Sequence, residues 1–240
     1  MSGISIIKNF YHRILFFIAG LRIISGPQKL ILILGMHRSG TSSLTGALVN
    51  IGFFPGNKLL PATDYNKKGF YEDRDIIWIN NIILEFNQLN WYNYKGEDIK
   101  YTSRHFQKLV GLIWFKYGFK KHVVIKDPRI SILLPMYISV FKYLDWPFQL
   151  IIIKRNPQSI IRSITSRNRD LKLKNISELI DQYYISIDKS SLLVKKLIVH
   201  YEDLIGQNQN VFTNLAEYLT INKYDLEKLK GFFDLKLKNY

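Results

Sequence analysis

Within the eight residues Gly35-Met36-His37-Arg38-Ser39-Gly40-Thr41-Ser42 the chain holds two glycines, three hydroxyls, a histidine and an arginine. Glycines let a turn expose its backbone N–H groups, hydroxyls add donors, and a helix starting at Thr41 would aim its dipole at the same point. Such a stretch serves to hold an anion, and Arg38 supplies a full positive charge. A second grouping has the same character: Arg155-Asn156-Pro157 is followed by Ser163, eight residues beyond the arginine. A forked guanidinium at a strand tip and a hydroxyl two turns into the next helix can converge on one anion. Lys126-Asp127-Pro128-Arg129 contributes two more cations. The carboxylates Glu72, Asp75 and Asp127 stand at element ends, where a carboxylate either takes a proton from a substrate or satisfies free N–H groups of a helix.

The apolar pattern supplies elements to position these groups. Leu30–Leu34 reads as a buried strand, and Leu44, Leu48 and Ile51 recur at helical spacing after the glycine turn. Gly-x4-Gly followed by Thr-Ser is the spacing of a nucleotide phosphate loop, except that Thr41 stands where the lysine reaching the β- and γ-phosphates belongs. Residues 55–69 form an extended loop. Phe70-Tyr71-Glu72-Asp73-Arg74-Asp75 then leads into a helix with Ile76, Ile79, Ile83 and Phe86 on one face and Asp73 or Asp75 as its cap. Residues 87–102 read as a polar, aromatic surface loop and Phe106–Trp114 as a helix. Strands at His122–Ile125 and Phe148–Ile153 end at the two cationic groups, and functional groups of parallel sheets gather beyond such ends. Pro128 keeps Asp127 out of the helical region, and Asn156 can cap a helix with Pro157 at its first position. A fourth strand, Leu197–His200, precedes Tyr201-Glu202-Asp203-Leu204, and two short helices close the chain. The expected fold is α/β, a single P-loop-like domain with a central parallel sheet flanked by helices.

Composition bounds the partners. Thirty-four Lys and Arg against 19 Asp and Glu give a formal charge of +15 over 240 residues, so the partner should be anionic, whether nucleic acid, acidic membrane or a phosphorylated or sulfated small molecule. With no cysteine, disulfides, thiolate metal sites and cysteine nucleophiles are excluded. The first 26 residues are a basic and apolar lead to a 27–240 domain. Arg13 and Arg22 bracket an apolar run, Ile14–Ile24, shorter than the roughly 20 residues needed to span a bilayer. It reads as a helix packed on the domain or resting on an anionic membrane surface, and the protein as cytoplasmic, with that membrane contact as its one departure.

Five segments in order carry a family resemblance: the 35–42 loop, Lys68-Gly69-Phe70-Tyr71-Glu72-Asp73, Lys126-Asp127-Pro128-Arg129, Arg155-Asn156-Pro157 with Ser163, and Tyr201-Glu202-Asp203-Leu204. In these the chain resembles the bacterial sulfotransferases that use 3′-phosphoadenosine 5′-phosphosulfate. The resemblance implies a fold related to nucleotide kinases and a donor held at both ends. Arg38, Ser39, Gly40, Thr41 and Ser42 would hold the 5′-phosphosulfate, with His37 a binding or packing residue of the same loop. Arg155 and Ser163 would hold the 3′-phosphate. Lys126 matches a lysine placed near the sulfuryl group, which makes Arg38 and Lys126 the cations expected to stabilise the transferring group. Some relatives have a histidine base where Pro128 stands here, and others use a glutamate downstream of the phosphate loop; the resemblance to the latter implies Glu72 as the base, with Asp75 and Asp127 behind it, and the cap reading of Glu72 stays open beside it. No metal is expected, because the donor has no triphosphate tail for magnesium to bridge. The acceptor would be a hydroxyl, less readily an amine, of a carbohydrate, glycolipid or other small molecule.

Two rival readings use the same features. A nucleoside or nucleotide kinase accounts for the glycine loop, but not for Thr41 or for a second anion site at Arg155 and Ser163. A nucleic-acid-binding module accounts for the charge, but the chain shows no basic recognition helix or aromatic RNA-binding signature, so no nucleic-acid partner is expected.

Overall fold

The computed structural model describes residues 26–63, 66, 69–166 and 175–233. Residues 1–25 of the basic and apolar lead, Lys68 and the rest of the Asp64–Lys68 stretch apart from Asn66 lie outside the described residues. Four strands, β1 (Lys29–Leu34), β2 (His122–Lys126), β3 (Gln149–Lys154) and β4 (Lys196–His200), form one parallel sheet in the order β2-β1-β3-β4. Leu32 lies opposite both Ile125 and Leu150, and Lys154 opposite His200. Nine helices are described: α1 (Thr41–Asn50), α2 (Arg74–Phe86), α3 (Ser103–Tyr117), α4 (Ile130–Leu144), α5 (Pro157–Thr165), α6 (Ile176–Ser190), α7 (Tyr201–Ile205), α8 (Gln209–Leu219) and α9 (Lys223–Gly231).

The two-residue alternation of a strand divides the core into two layers. Leu30, Leu32 and Leu34 of β1 join Val123, Ile125, Leu150 and Ile152 in packing against α2, α3, α4 and α6. Ile31 and Ile33 face the other way, with Val124, Ile151 and Ile153, onto α1, α8 and α9. A sheet buried on both faces needs unbroken apolar strands, which is why β1 and β3 read as continuous Leu and Ile runs. The expected α/β architecture is thus the observed one. No helix among the described residues is long and apolar enough to cross a membrane.

Two long helices go beyond the sequence reading, which placed no element at 130–147 or 175–190. In α4 the side chains are buried almost all round, so the polar stripe that marks an amphipathic helix is missing, and Pro135 reads locally as a breaker. Pro135 sits on the helix's exposed side. Asp73, not Asp75, caps α2, accepting from the Asp75 N–H at 2.9 Å, and Asn156 caps α5 with Pro157 at the first turn.

Candidate functional site

All four strands deliver functional groups at their carboxyl ends: the 35–40 turn after β1, Lys126 at the end of β2, Arg155 after β3 and Tyr201 after β4. The turn has three unusual backbone positions, Gly35 at φ 150°, Arg38 at φ 69° and Gly40 at φ 96°. At Gly40 a Cβ would come within 2.1 Å of the Tyr201 ring, so glycine is required both by the backbone and by the packing. Gly40 offers no side chain to cap α1, and the helix has no acid in its first turn. Its leading N–H groups and positive dipole end are therefore left for an external anion. Ser131, at the start of α4, pins the turn: its Oγ accepts from the Gly35 N–H at 3.0 Å and donates to the Gly35 carbonyl at 3.2 Å.

The turn forms one wall of a cleft of about 530 Å³ whose lining includes Arg38, Lys126, Arg155 and Arg162. Arg38 Nε donates to Ser163 Oγ at 2.9 Å, so the residue of the first anion loop reaches the hydroxyl of the second. Arg155 donates to the Arg38 carbonyl at 2.9 Å and lies over the Tyr201 ring at 4.7 Å from its centre. Glu202 accepts from the Asn156 N–H at 3.0 Å. The Tyr201-Glu202 pair thus braces both anion-binding segments from below, Tyr201 under Gly40 and Arg155, Glu202 at the start of α5. Lys126 Nζ donates to Ser42 Oγ at 3.0 Å, to the Phe70 carbonyl at 3.2 Å and to Glu72 Oε1 at 2.5 Å. An ammonium group therefore reaches the first turn of α1 from β2, although Thr41 replaces the loop lysine.

The three candidate bases separate by position. Glu72 lines the cleft. Its carboxyl is held above the ordinary range: burial raises it most, the Lys126 charge pulls it down, and Asp127 pushes it up again. Asp75 is tied to Lys116 at 2.7 Å and Lys58 at 3.4 Å. Burial works to raise its carboxyl, and the bonds and charges of those lysines outweigh it, leaving it below the usual range. Asp127 is fully buried and saturated, accepting from Arg129 at 2.8 Å and Asn80 at 3.0 Å. Neither aspartate lines the cleft, which corrects their standing as reserve bases. Asp127 sits inside a chain of bonds running to Asn80 and on to Tyr137.

His37 lies on the cleft wall, its ring 4.4 Å from that of Trp91. Burial, followed by the charges of Arg129, Lys126 and Arg38, holds its imidazole well below the ordinary histidine range, so it stays neutral. Trp91 belongs to residues 87–102, expected as a solvated loop; instead the segment buries Leu89 and Tyr94, and Tyr183 donates to the Trp91 carbonyl at 2.8 Å. Ser39 and Thr41 are buried in the turn, Ser39 lying beneath Gly35 rather than on the cleft surface. Among the described residues no group of three or more His, Asp or Glu side chains is arranged to hold a metal ion.

The structure therefore brings His37, Arg38, Gly40, Thr41, Ser42, Glu72, Lys126, Arg155 and Ser163 to one cleft. The sequence reading did not single out Ser159, Arg162 and Ser166 on its far wall. Their spacing of three and four along α5 and its C-cap, Ser166, is the readable signal, a polar stripe on the same face as Ser163. Tyr201 and Asn66 also line the cleft and carry no such signal.

No protein-family model matches the sequence, and no curated protein matches it significantly. Among solved structures, the chain is similar to the sulfotransferase domain of the Synechococcus PCC 7002 olefin synthase, with a TM-score of 0.50, 15% identity, and coverage of 84% of this chain and 77% of that one. It also matches the sulfotransferase domain from the curacin biosynthetic pathway (TM-score 0.45, 14% identity, 84% and 77% covered) and a Mycobacterium avium sulfotransferase (0.47, 13%, 85% and 67%). The first likeness shows that this chain shares the sulfotransferase fold.

Proposed function

We propose that this protein is a sulfotransferase that moves a sulfuryl group from 3′-phosphoadenosine 5′-phosphosulfate to a hydroxyl of a small or glycan acceptor. The observation carrying the proposal is the bond from Arg38 to Ser163 within one cleft. It joins an uncapped helix N-terminus, suited to a 5′-phosphosulfate, to an arginine and serine wall suited to a further phosphate that ATP lacks. The sulfotransferase fold agrees with it. A kinase fits less well, because Ser42, the position that holds Mg²⁺ in a phosphate loop, already accepts the Lys126 ammonium, and two cations there repel.

The chemistry follows from the positions. The amides of α1 and Arg38 hold the phosphosulfate; Arg155, Ser163 and Arg162 hold the 3′-phosphate. The acceptor oxygen attacks sulfur in line, the new O–S bond forming as the S–O bond to the 5′-phosphate breaks, and 3′,5′-diphosphoadenosine leaves with the electron pair. Lys126 turns from Glu72 toward the sulfuryl oxygens, where a fixed cation is worth most as negative charge builds. That movement removes the charge that lowers the Glu72 carboxyl, and Glu72 then takes the acceptor proton more readily. The test is calorimetric titration with 3′,5′-diphosphoadenosine and with ATP. The diphosphate should bind at least about tenfold more tightly, as one extra charge-assisted contact implies; equal or stronger ATP binding overturns the reading.

A further inference from the structure

In a parallel sheet every strand starts at the same end, so the amino ends of β1–β4 define a face opposite the cleft. The five most exposed large apolar side chains among the described residues all belong to segments at that face. Phe115 and Phe119, 70% and 71% exposed, stand one turn apart at the end of α3, just before β2. Leu192 and Leu193, 76% and 100% exposed, form the turn just before β4. Tyr224, 68% exposed, begins α9, beside the α8 end whose Leu219 and Thr220 carbonyls accept from Lys29 at the start of β1. The two pairs precede β2 and β4, the opposite edge strands of the sheet, which three strand spacings set about 14 Å apart. Each apolar tip is flanked by cations: Lys120 and Lys121 beside Phe119, Lys195 beside Leu193, Lys223 beside Tyr224, all exposed. Asp145 and Asp225 lie at the same face, and one turn from Leu192 and Tyr224 the exposed Asp188 and Glu227 are accompanied by the exposed Lys189 and Lys228.

The chain preceding the described structure joins at this face. The Gln28 and Lys29 N–H groups both donate to the Lys121 carbonyl, at 2.9 and 3.2 Å, and Gly26 lies against Trp146. Attached there are 25 residues in which Ile14–Ile24 is mostly apolar and Lys8, Arg13 and Arg22 carry positive charge.

We propose that the amino-end face of the sheet, Phe115, Phe119, Leu192, Leu193 and Tyr224 with Lys120, Lys121, Lys195 and Lys223, docks on an anionic lipid bilayer. Exposed aromatic and leucine tips ringed by lysines in excess of the acids match an interface whose surface is negative and whose layer beneath the headgroups is apolar. Apolar tips preceding the two opposite edge strands, at the same end of the sheet, suit an extended planar surface better than one compact partner patch. In this orientation the cleft, at the carboxyl ends of the strands, points away from the membrane and stays open to a soluble donor. The inference does not depend on the reaction catalysed.

The test uses the full chain and sedimentation with vesicles of phosphatidylcholine alone or mixed with phosphatidylserine. The protein should partition onto the anionic vesicles, and raised salt should release it. Replacing Phe119→Ser, Leu192→Ser and Leu193→Ser together, at sites exposed enough to leave folding intact, should weaken that partition about tenfold or more with an unchanged thermal midpoint. Undiminished binding of the triple variant would assign the membrane contact to the first 25 residues alone and overturn the proposal. Equal binding to neutral vesicles overturns it too. So does a dimer in the ultracentrifuge that the same substitutions dissolve in the absence of vesicle binding, which would make the face a contact between two copies.

Discussion

Lys126→Met separates the structural from the chemical role of the Lys126–Glu72 pair. Both side chains are nearly buried, 2% and 9% exposed, so methionine leaves Glu72 facing the cleft without its cation. Removing one partner of a buried pair costs about 3–5 kcal/mol when the other stays charged. Glu72 has a way out, because it can bind a proton. Starting from its ordinary value of 4.5, protonation near pH 7 costs about 3.4 kcal/mol, and that sum is the ceiling on the loss. The sign follows from linkage. Without Lys126 the folded pKa of Glu72 rises further above the unfolded one, so the folded state binds more protons. The variant's deficit is then small up to the folded pKa of the intact pair, which already lies above 4.5, grows by up to about 1.4 kcal/mol per pH unit beyond it, and levels off once pH passes the variant's own higher folded pKa. Urea unfolding across this range measures the deficit. Adding Glu72→Gln to Lys126→Met should restore most of the stability, since no charge is left to bury, while turnover stays down by about 10²–10³. A deficit independent of pH, or a double variant no more stable than Lys126→Met, would refute the reasoning. Turnover restored along with stability would show that the pair is structural alone.

Other substitutions test the remaining parts of the site. Gly40→Ala, at φ 96° and 2.1 Å from the Tyr201 ring, should destabilise the fold by about 1–3 kcal/mol and weaken 3′,5′-diphosphoadenosine binding in calorimetry; unchanged affinity would mean the turn does not hold the donor. Arg155→Lys loses the fork that donates to the Arg38 carbonyl and stacks on Tyr201. Binding of 3′,5′-diphosphoadenosine should then fall about tenfold or more while adenosine 5′-phosphosulfate, lacking the 3′-phosphate, is little affected; equal losses would move Arg155 out of that role. His37, kept neutral in the folded protein, takes a proton first in the unfolded chain. Stability should therefore fall as pH drops below 6.5, by up to about 1.4 kcal/mol per unit from this residue. His37→Gln should remove that slope except for the share of His105 and His122, whose imidazoles burial also lowers; an unaltered slope would place His37 in solvent.

What could be read before the structure, and what could not, divides along the range of the interactions. The 35–42 turn announces itself because a glycine at φ 96° and an uncapped helix start are local requirements, written in adjacent residues. Asn156 and Pro157 announce a helix start for the same reason. By contrast α4 is buried nearly all round, so its burial erases the stripe that would have marked it, and only packing against the sheet and α6 overrides Pro135. Ranking the carboxylates needed contacts 41 to 54 positions apart, Lys116 with Asp75 and Lys126 with Glu72, which no spacing rule contains. Tyr201 is the instructive middle case. Its segment stood out as one of five in order, yet nothing in Tyr-Glu-Asp-Leu says that the ring packs against both Gly40 and Arg155. That position explains why a tyrosine just after the last strand matters to a loop after the first. It fills the space a Cβ at Gly40 would need, and it supports the guanidinium that bonds the Arg38 carbonyl. The loop lacks a lysine of its own, and beyond Arg38 its positive charge comes from two other strand ends, Lys126 at the end of β2 and Arg155 after β3, with Tyr201 after β4 holding Arg155 in place. An anion loop assembled this way depends on the whole sheet edge, so substitutions at Tyr201 should act on donor binding as strongly as substitutions in the loop itself.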